Sequence, residues 1–205
     1  MRRETGADPE SAGAERELER RLTLATPADS VRGMFFRSVL EVMRELGDMH
    51  AVERCVEACG ERKFVDFSCY PTSSFLRLLG TSARLLGTGY GDFEGALRAL
   101  GRRGATDFFA SSTGRPLWTM LSGNPKRMVD NLPMAYAMAS ANGGQCLVTW
   151  VSSRQVRILL DRDFLPCAYV EGALTAALEV LGTRDPRVRS RSLGPLGCEY
   201  SLTWL

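Results

Sequence analysis

The chain has 205 residues, 44% hydrophobic and 24% charged, an ordinary globular mix that supports one domain with a real core. Its formal charge of +2 excludes nucleic-acid binding by bulk attraction. No apolar run approaches the roughly 20 residues of a membrane span, and Met1-Arg2-Arg3-Glu4 opens without a signal-peptide core, so a cytoplasmic protein with reduced cysteines is expected.

Residues 1–14 are rich in Gly, Ala, Pro and charge without periodicity, and read as a disordered arm; residues 15–205 then form a single α+β domain. Glu15 to Leu24 reads as a short charged helix or an ordered lead-in. Asp29 looks like the N-cap of a long amphipathic helix over 30–46, with Met34, Phe35, Val39, Val42, Met43 and Leu46 on one face. A second helix covers 49–59 and stops at Gly60. Pro71 suits the first turn of a third, carrying Phe75, Leu76, Leu79 and Leu86, and a fourth runs from Phe93 to Phe109. Shorter pieces are predicted at 117–121, 125–130 and 133–141.

The last third changes character. Strands are predicted at 146–151 and 155–160, then a helix from Phe164 to Leu181, then a hairpin of 187–193 and 198–205 around Gly194-Pro195-Leu196-Gly197. Cys198 to Trp204 alternates apolar and polar at period two, so one strand face is buried and one is wet. In Arg187-Val188-Arg189-Ser190-Arg191 the arginines share a face, and desolvation favours Arg191 opposite Glu199 with that face exposed. The predicted fold is an N-terminal helical layer packed on a C-terminal four-stranded antiparallel sheet with one crossover helix. Such a container suits a bound guest.

Catalytic chemistry finds little support. His50 is the single histidine and no nucleophile elbow accompanies it, so no catalytic residue is assigned. Cys55, Cys59 and Cys69 lack metal-ligand spacing and read as buried thiols, so no metal is expected. Asp161 and Asp163 flank Arg162 as helix-capping acids, and Asp66, set between Phe64 and Phe67, reads either as a perturbed acid or, preferably, as a residue on the wet side of an extended segment. What remains is apolar and bulky: Phe75, Leu79, Phe108, Trp118, Tyr136 and Trp150 are the candidate ligand-binding residues, whether they line a cavity or fill a solid core.

Several short signatures carry a resemblance: Arg32-Gly33-Met34-Phe35-Phe36, Ala96-Leu97-Arg98-Ala99-Leu100-Gly101, Gly114-Arg115, Pro133-Met134-Ala135-Tyr136, Asp163-Phe164-Leu165-Pro166 with Gly172, and Tyr200-Ser201-Leu202-Thr203-Trp204. In this order they resemble a myxobacterial paralogous family of unknown function, over about residues 20–205. More distantly, the closing helix and hairpin look like the 4-vinyl-reductase domain, in a superfamily with haem-nitric-oxide sensors, aromatic-sensing domains and Bet-type tethering subunits. The resemblance implies a helical layer on a four-stranded sheet, often a dimer, with an apolar ligand or acyl chain inside and no catalytic residues. Haem sensors of that group carry a mid-chain proximal histidine and a Tyr-x-Ser-x-Arg clamp; His50 lies too early and no clamp is present. Zinc-bearing relatives place several cysteines around the final hairpin, where only Cys198 stands. The expectation is a non-catalytic sensor or adaptor without cofactor, binding an apolar small molecule and signalling through a protein partner or homodimer. The alternative is an interaction module with a solid core.

Overall fold

The computed structural model describes residues 9–205 apart from 47, 113, 122 and 142; the side chains of 9–12, 117, 118, 120, 121, 140 and 141 also lie outside the description. Helix α1 (Pro9–Leu24) extends back into the stretch expected to be disordered. Residues 1–8 of that stretch are outside the described residues; the rest is helical, with Ala14 and Leu18 buried and Leu18 against Gly80. Pro9 suits a first helical turn, where its missing N–H costs nothing.

A short strand β1 (Ser30–Arg32) precedes α2 (Gly33–Glu45), which buries Phe36, Val39, Leu40 and Met43. Asp29 therefore does not cap this helix: its carboxylate accepts Thr26 N and Oγ1, both at 2.8 Å, and ion-pairs with Arg162 at 2.7 Å. Helix α3 (Met49–Cys59) is capped by Asp48, which accepts the amides of His50 and Ala51, and ends at Gly60 with φ 79°, a left-handed conformation that only glycine adopts without strain. Strand β2 (Cys69–Pro71) leads into α4 (Thr72–Leu86), which buries Phe75, Leu76, Leu78 and Leu79, and α5 (Phe93–Ala110) starts at its Asp92 cap. Helices α6 (Gly114–Leu121) and α7 (Pro125–Ala139) follow. The two pieces expected at 125–130 and 133–141 are one helix, which runs through Pro133.

Strand β3 (Ser140–Ala141) pairs with β1, which also pairs with β2, making a small antiparallel sheet in the order β2-β1-β3. The main sheet is built from β4 (Cys146–Ser152), β5 (Gln155–Leu160), β6 (Arg187–Ser192) and β7 (Cys198–Thr203), all antiparallel neighbours in the order β4-β5-β7-β6. On its buried face Val156, Ile158 and Leu160 sit opposite Leu202, Tyr200 and Cys198. On the other face Arg191 lies opposite Glu199 and ion-pairs with it at 3.0 Å, with Arg187, Arg189 and Arg191 all exposed.

Helix α8 (Cys167–Val180) crosses from β5 to β6 and is buried nearly all round, because the sheet covers one side and α5 the other. Where α5 meets α8 the backbones touch. A Cβ on Gly101 would run into the Tyr169 carbonyl oxygen, and one on Gly172 into the Arg98 carbonyl oxygen. Among the described residues no helix is long and apolar enough to cross a membrane.

Candidate ligand cleft

Beyond the Gly101 crossing, Ala105, Phe108 and Phe109 of α5 and Ala173, Leu174 and Ala177 of α8 face a common cleft. Its main chamber holds about 170 Å³, walled by α5, α7, α8 and the inner face of β4 and β5. The room is made by small side chains, Ala105, Ala135, Ala139, Ala173 and Ala177; its walls are closed by Phe35, Phe108, Phe109, Leu132, Ile158 and Leu174. Among the described residues no charged side chain lines it. A smaller chamber of about 60 Å³ shares Phe35, Tyr136, Ala139, Leu165 and Tyr169 with the first and continues toward Asp29, Thr72, Arg162 and Asp163. The exposed wall of the smaller chamber is also chiefly apolar, and its polar end is the set of charged side chains that lie behind that wall. An engineered apolar cavity of about 150 Å³ takes one benzene ring, whereas drug-sized ligands occupy about 300–1,000 Å³. The main chamber is the size of a single ring or a short branched chain.

The six residues marked as ligand-binding from sequence divide. Phe108 and Tyr136 line the main chamber, and Tyr136 and Phe75 the smaller one. Leu79 is fully buried in α4 away from both. Trp150 packs edge-on to Trp204 at 6.0 Å, donates its indole N–H to Asp130 at 2.8 Å and lies under the Lys126 ammonium, fastening α7 to the sheet instead of lining the cleft. The Trp118 side chain lies outside the described residues. Sequence reasoning favours bulky residues, while the cleft owes its volume to alanines spaced along α7 and α8.

The polar end rests on a buried charge cluster that joins distant parts of the chain. Arg21 is 1% exposed; its guanidinium ion-pairs with Glu17 at 2.7 Å, donates to the Asp163 carbonyl oxygen and lies 3.3 Å from Cys167 Sγ. Glu17 in turn accepts the Cys167 amide at 3.2 Å, so α1 closes the N-terminal end of α8. Asp163 is not a helix cap. Its Oδ1 accepts the Leu165 amide at 3.1 Å, the Tyr136 hydroxyl hydrogen-bonds the carboxylate, and the side chain is buried. Burial pushes its carboxyl up to about 6, against the opposing pull of Arg21. In Asp29 burial also raises, but the hydrogen bonds from Arg162 and Thr26 outweigh it and hold that carboxyl below the usual range.

Because the folded Asp163 carboxyl titrates above its unfolded counterpart, the native state holds the extra proton between about pH 4 and 6. This contribution to stability is full below pH 4 and is lost as pH rises through 6. We expect the wild-type urea midpoint, measured relative to Asp163→Asn, to fall between pH 4 and 7 by the equivalent of roughly 3 kcal/mol. A constant difference across that range refutes the assignment.

The remaining reactive side chains are placed elsewhere. His50 is 95% exposed on α3, 3.9 Å from Glu53. Asp66 pairs with Arg37 at 2.5 Å on the surface. Cys55 shares a hydrogen bond with Ser82 Oγ at 3.3 Å and Cys59 bonds backbone carbonyls; burial raises both thiols. Cys146 lines the cleft, and burial pushes its thiol up to about 11, so it is protonated at neutral pH. No group of three or more metal-ligating side chains occurs among the described residues.

The fold has solved neighbours. The H-NOX protein from S. oneidensis in the Fe(II)NO ligation state superposes with a TM-score of 0.64 at 11% identity, covering 85% of this chain and 99% of that one. The Fe(II) unliganded H-NOX protein from K. algicida gives 0.62 at 11% identity, over 85% and 96%. A mutant of the T. Tengcongensis H-NOX gives 0.60 at 14% identity, over 84% and 97%. At these identities the likeness is one of fold. Against curated proteins the sequence has no match. The family described as "Protein of unknown function (DUF2378)" matches residues 24–205, and the chain belongs to that family.

Proposed function

We propose that the protein is a non-catalytic sensor that holds a small apolar molecule in the cleft between α5, α7, α8 and the sheet, and passes its occupancy to a protein partner or a second copy of itself. The observation that carries this reading is the half-open, alanine-lined apolar chamber of about 170 Å³ between α5, α7, α8 and the sheet. A solid interaction module has no need of such a void, whose unfilled lining forfeits dispersion contacts. The neighbours' H-NOX fold supports a sensory role by analogy of architecture alone. Six free thiols suit a reducing compartment, and we place the protein in the cytoplasm.

The iron and haem of the neighbouring structures do not fit these residues. The one histidine points to solvent on α3, and among the described residues the one thiol lining the cleft stays protonated, so neither offers the iron an axial ligand. The guest is metal-free and about one ring across.

Benzene is the direct probe. At ten times its Kd it adds about 1.4 kcal/mol to the wild type, a rise in thermal midpoint of roughly 3–6 °C. Ala173→Phe fills the chamber and abolishes the rise while leaving the circular dichroism spectrum unchanged. A wild type whose midpoint ignores benzene overturns the proposal.

A further inference from the structure

The buried cluster holds a second feature that the cleft does not use. Cys167, at the start of α8, and Cys198, at the start of β7, place their sulfurs 2.9 Å apart although 31 residues separate them. Among the described residues no other two sulfurs lie within hydrogen-bond reach. The Arg21 guanidinium stands 3.3 Å from Cys167 Sγ and is itself fixed by Glu17, so a permanent cation faces the pair. A polar groove between α1, α5, α8 and β6, lined by Arg16, Glu17, Arg20, Arg98 and Glu171, reaches Cys167, which is buried but 9% exposed; Cys198 is fully buried and does not line it. Proximity of two thiols, a fixed cation and a polar approach to only one of them are the requirements of an attacking and a resolving cysteine.

We propose that Cys167 and Cys198 form a peroxide-responsive dithiol, with Cys167 as the attacking and Cys198 as the resolving residue. The hydrogen bond from Cys167 to Cys198 lowers the Cys198 thiol and raises the Cys167 thiol, which burial and Glu17 raise further against Arg21, so the pair's first proton leaves from Cys198 and the second is shared between the two sulfurs. With the shared proton on Cys198, the Cys167 thiolate attacks one oxygen of hydrogen peroxide. An S–O bond forms, the O–O bond breaks, and the departing hydroxide takes the Cys198 proton to become water. The Cys198 thiolate then attacks the Cys167 sulfur; the S–S bond forms, the S–O bond breaks, and hydroxide leaves to be protonated by solvent. Two thiols are oxidised and one peroxide is reduced to two waters. The product ties the N-terminal end of α8 to β7 at the centre of the sheet.

The test uses the full chain, reduced, desalted, exposed to equimolar hydrogen peroxide, alkylated and mapped by non-reducing mass spectrometry. Free thiols should fall from the six in the sequence to four, with a Cys167–Cys198 cross-linked peptide that dithiothreitol reverses. Cys167→Ser and Cys198→Ser each remove that product, and Cys69→Ser at the exposed thiol leaves it unchanged. Recovery of both cysteines alkylated, a Cys69 cross-link between chains as the sole product, or sulfinic acid on Cys167 without the cross-link overturns the proposal. The wild-type map decides the matter even if a serine variant fails to fold. Because the cross-link is read without any guest in the cleft, its failure and that of the sensor reading are separate results.

Discussion

Gly172→Ala should lower stability by about 3 kcal/mol or more, a drop of roughly 6–12 °C in the thermal midpoint of a chain this size. Alanine is normally the better helix residue by nearly 1 kcal/mol, so local propensity predicts the opposite sign. The reversal comes from the crossing. A methyl at Gly172 meets the Arg98 carbonyl oxygen, its carbon and its Cα, all backbone, and backbone cannot turn aside as a side chain can. To admit the methyl, α5 and α8 must separate, and the sheet and α2 that pack on them must follow. Gly101→Ala collides with the Tyr169 carbonyl from the other helix and should behave alike. Gly13→Ala, in α1, is the control: its new methyl meets no heavy atom within 4 Å, so it should gain a few tenths to 1 kcal/mol. Thermal melts of the three variants check the argument, and equal shifts at Gly13 and Gly172 refute it.

Arg21→Met should cost about 3–5 kcal/mol, because it leaves Glu17 and Asp163 facing one another without the cation they share. Its methylenes are replaced at nearly equal volume, so packing loss is small and the effect is electrostatic. The loss must therefore depend on pH. Without the guanidinium the Asp163 carboxyl, already raised by burial, rises further, and stability keeps falling with pH beyond 6 where the wild type levels off. Urea midpoints of the variant at pH 5 and pH 8 should differ by more than those of the wild type. A loss that is the same at both values assigns Arg21 to packing.

Part of this architecture is legible in the sequence, and the rest is hidden for identifiable reasons. The period-two alternation from Cys198 to Thr203 corresponds to a strand whose alternate residues Glu199, Ser201 and Thr203 are half-exposed and whose other residues are buried. Desolvation alone is enough to place Arg191 across from Glu199. The small sheet is invisible because strands of two or three residues, such as Ser140–Ala141, carry no periodicity. Arg21 reads as one charge among many in a polar helix; its burial depends on Asp163 and Cys167, 142 and 146 residues away. The cleft is only half legible. Phe108 and Tyr136 announce an aromatic wall, but a void is defined by what is missing, and an alanine facing a void has the same letter as one facing a neighbour.

Pro133 gives α7 a lever. Proline offers no N–H, so the Val129 carbonyl loses its helical partner and the rod is weakest there. The stretch before it is bolted to β4 through Asp130 and Trp150. The stretch after it carries Ala135, Tyr136 and Ala139 on the cleft and ends in β3, paired with β1. Any displacement of this second arm would be passed to β1, which runs straight into α2 and is also zipped to β2, whose Cys69 and Pro71 face solvent.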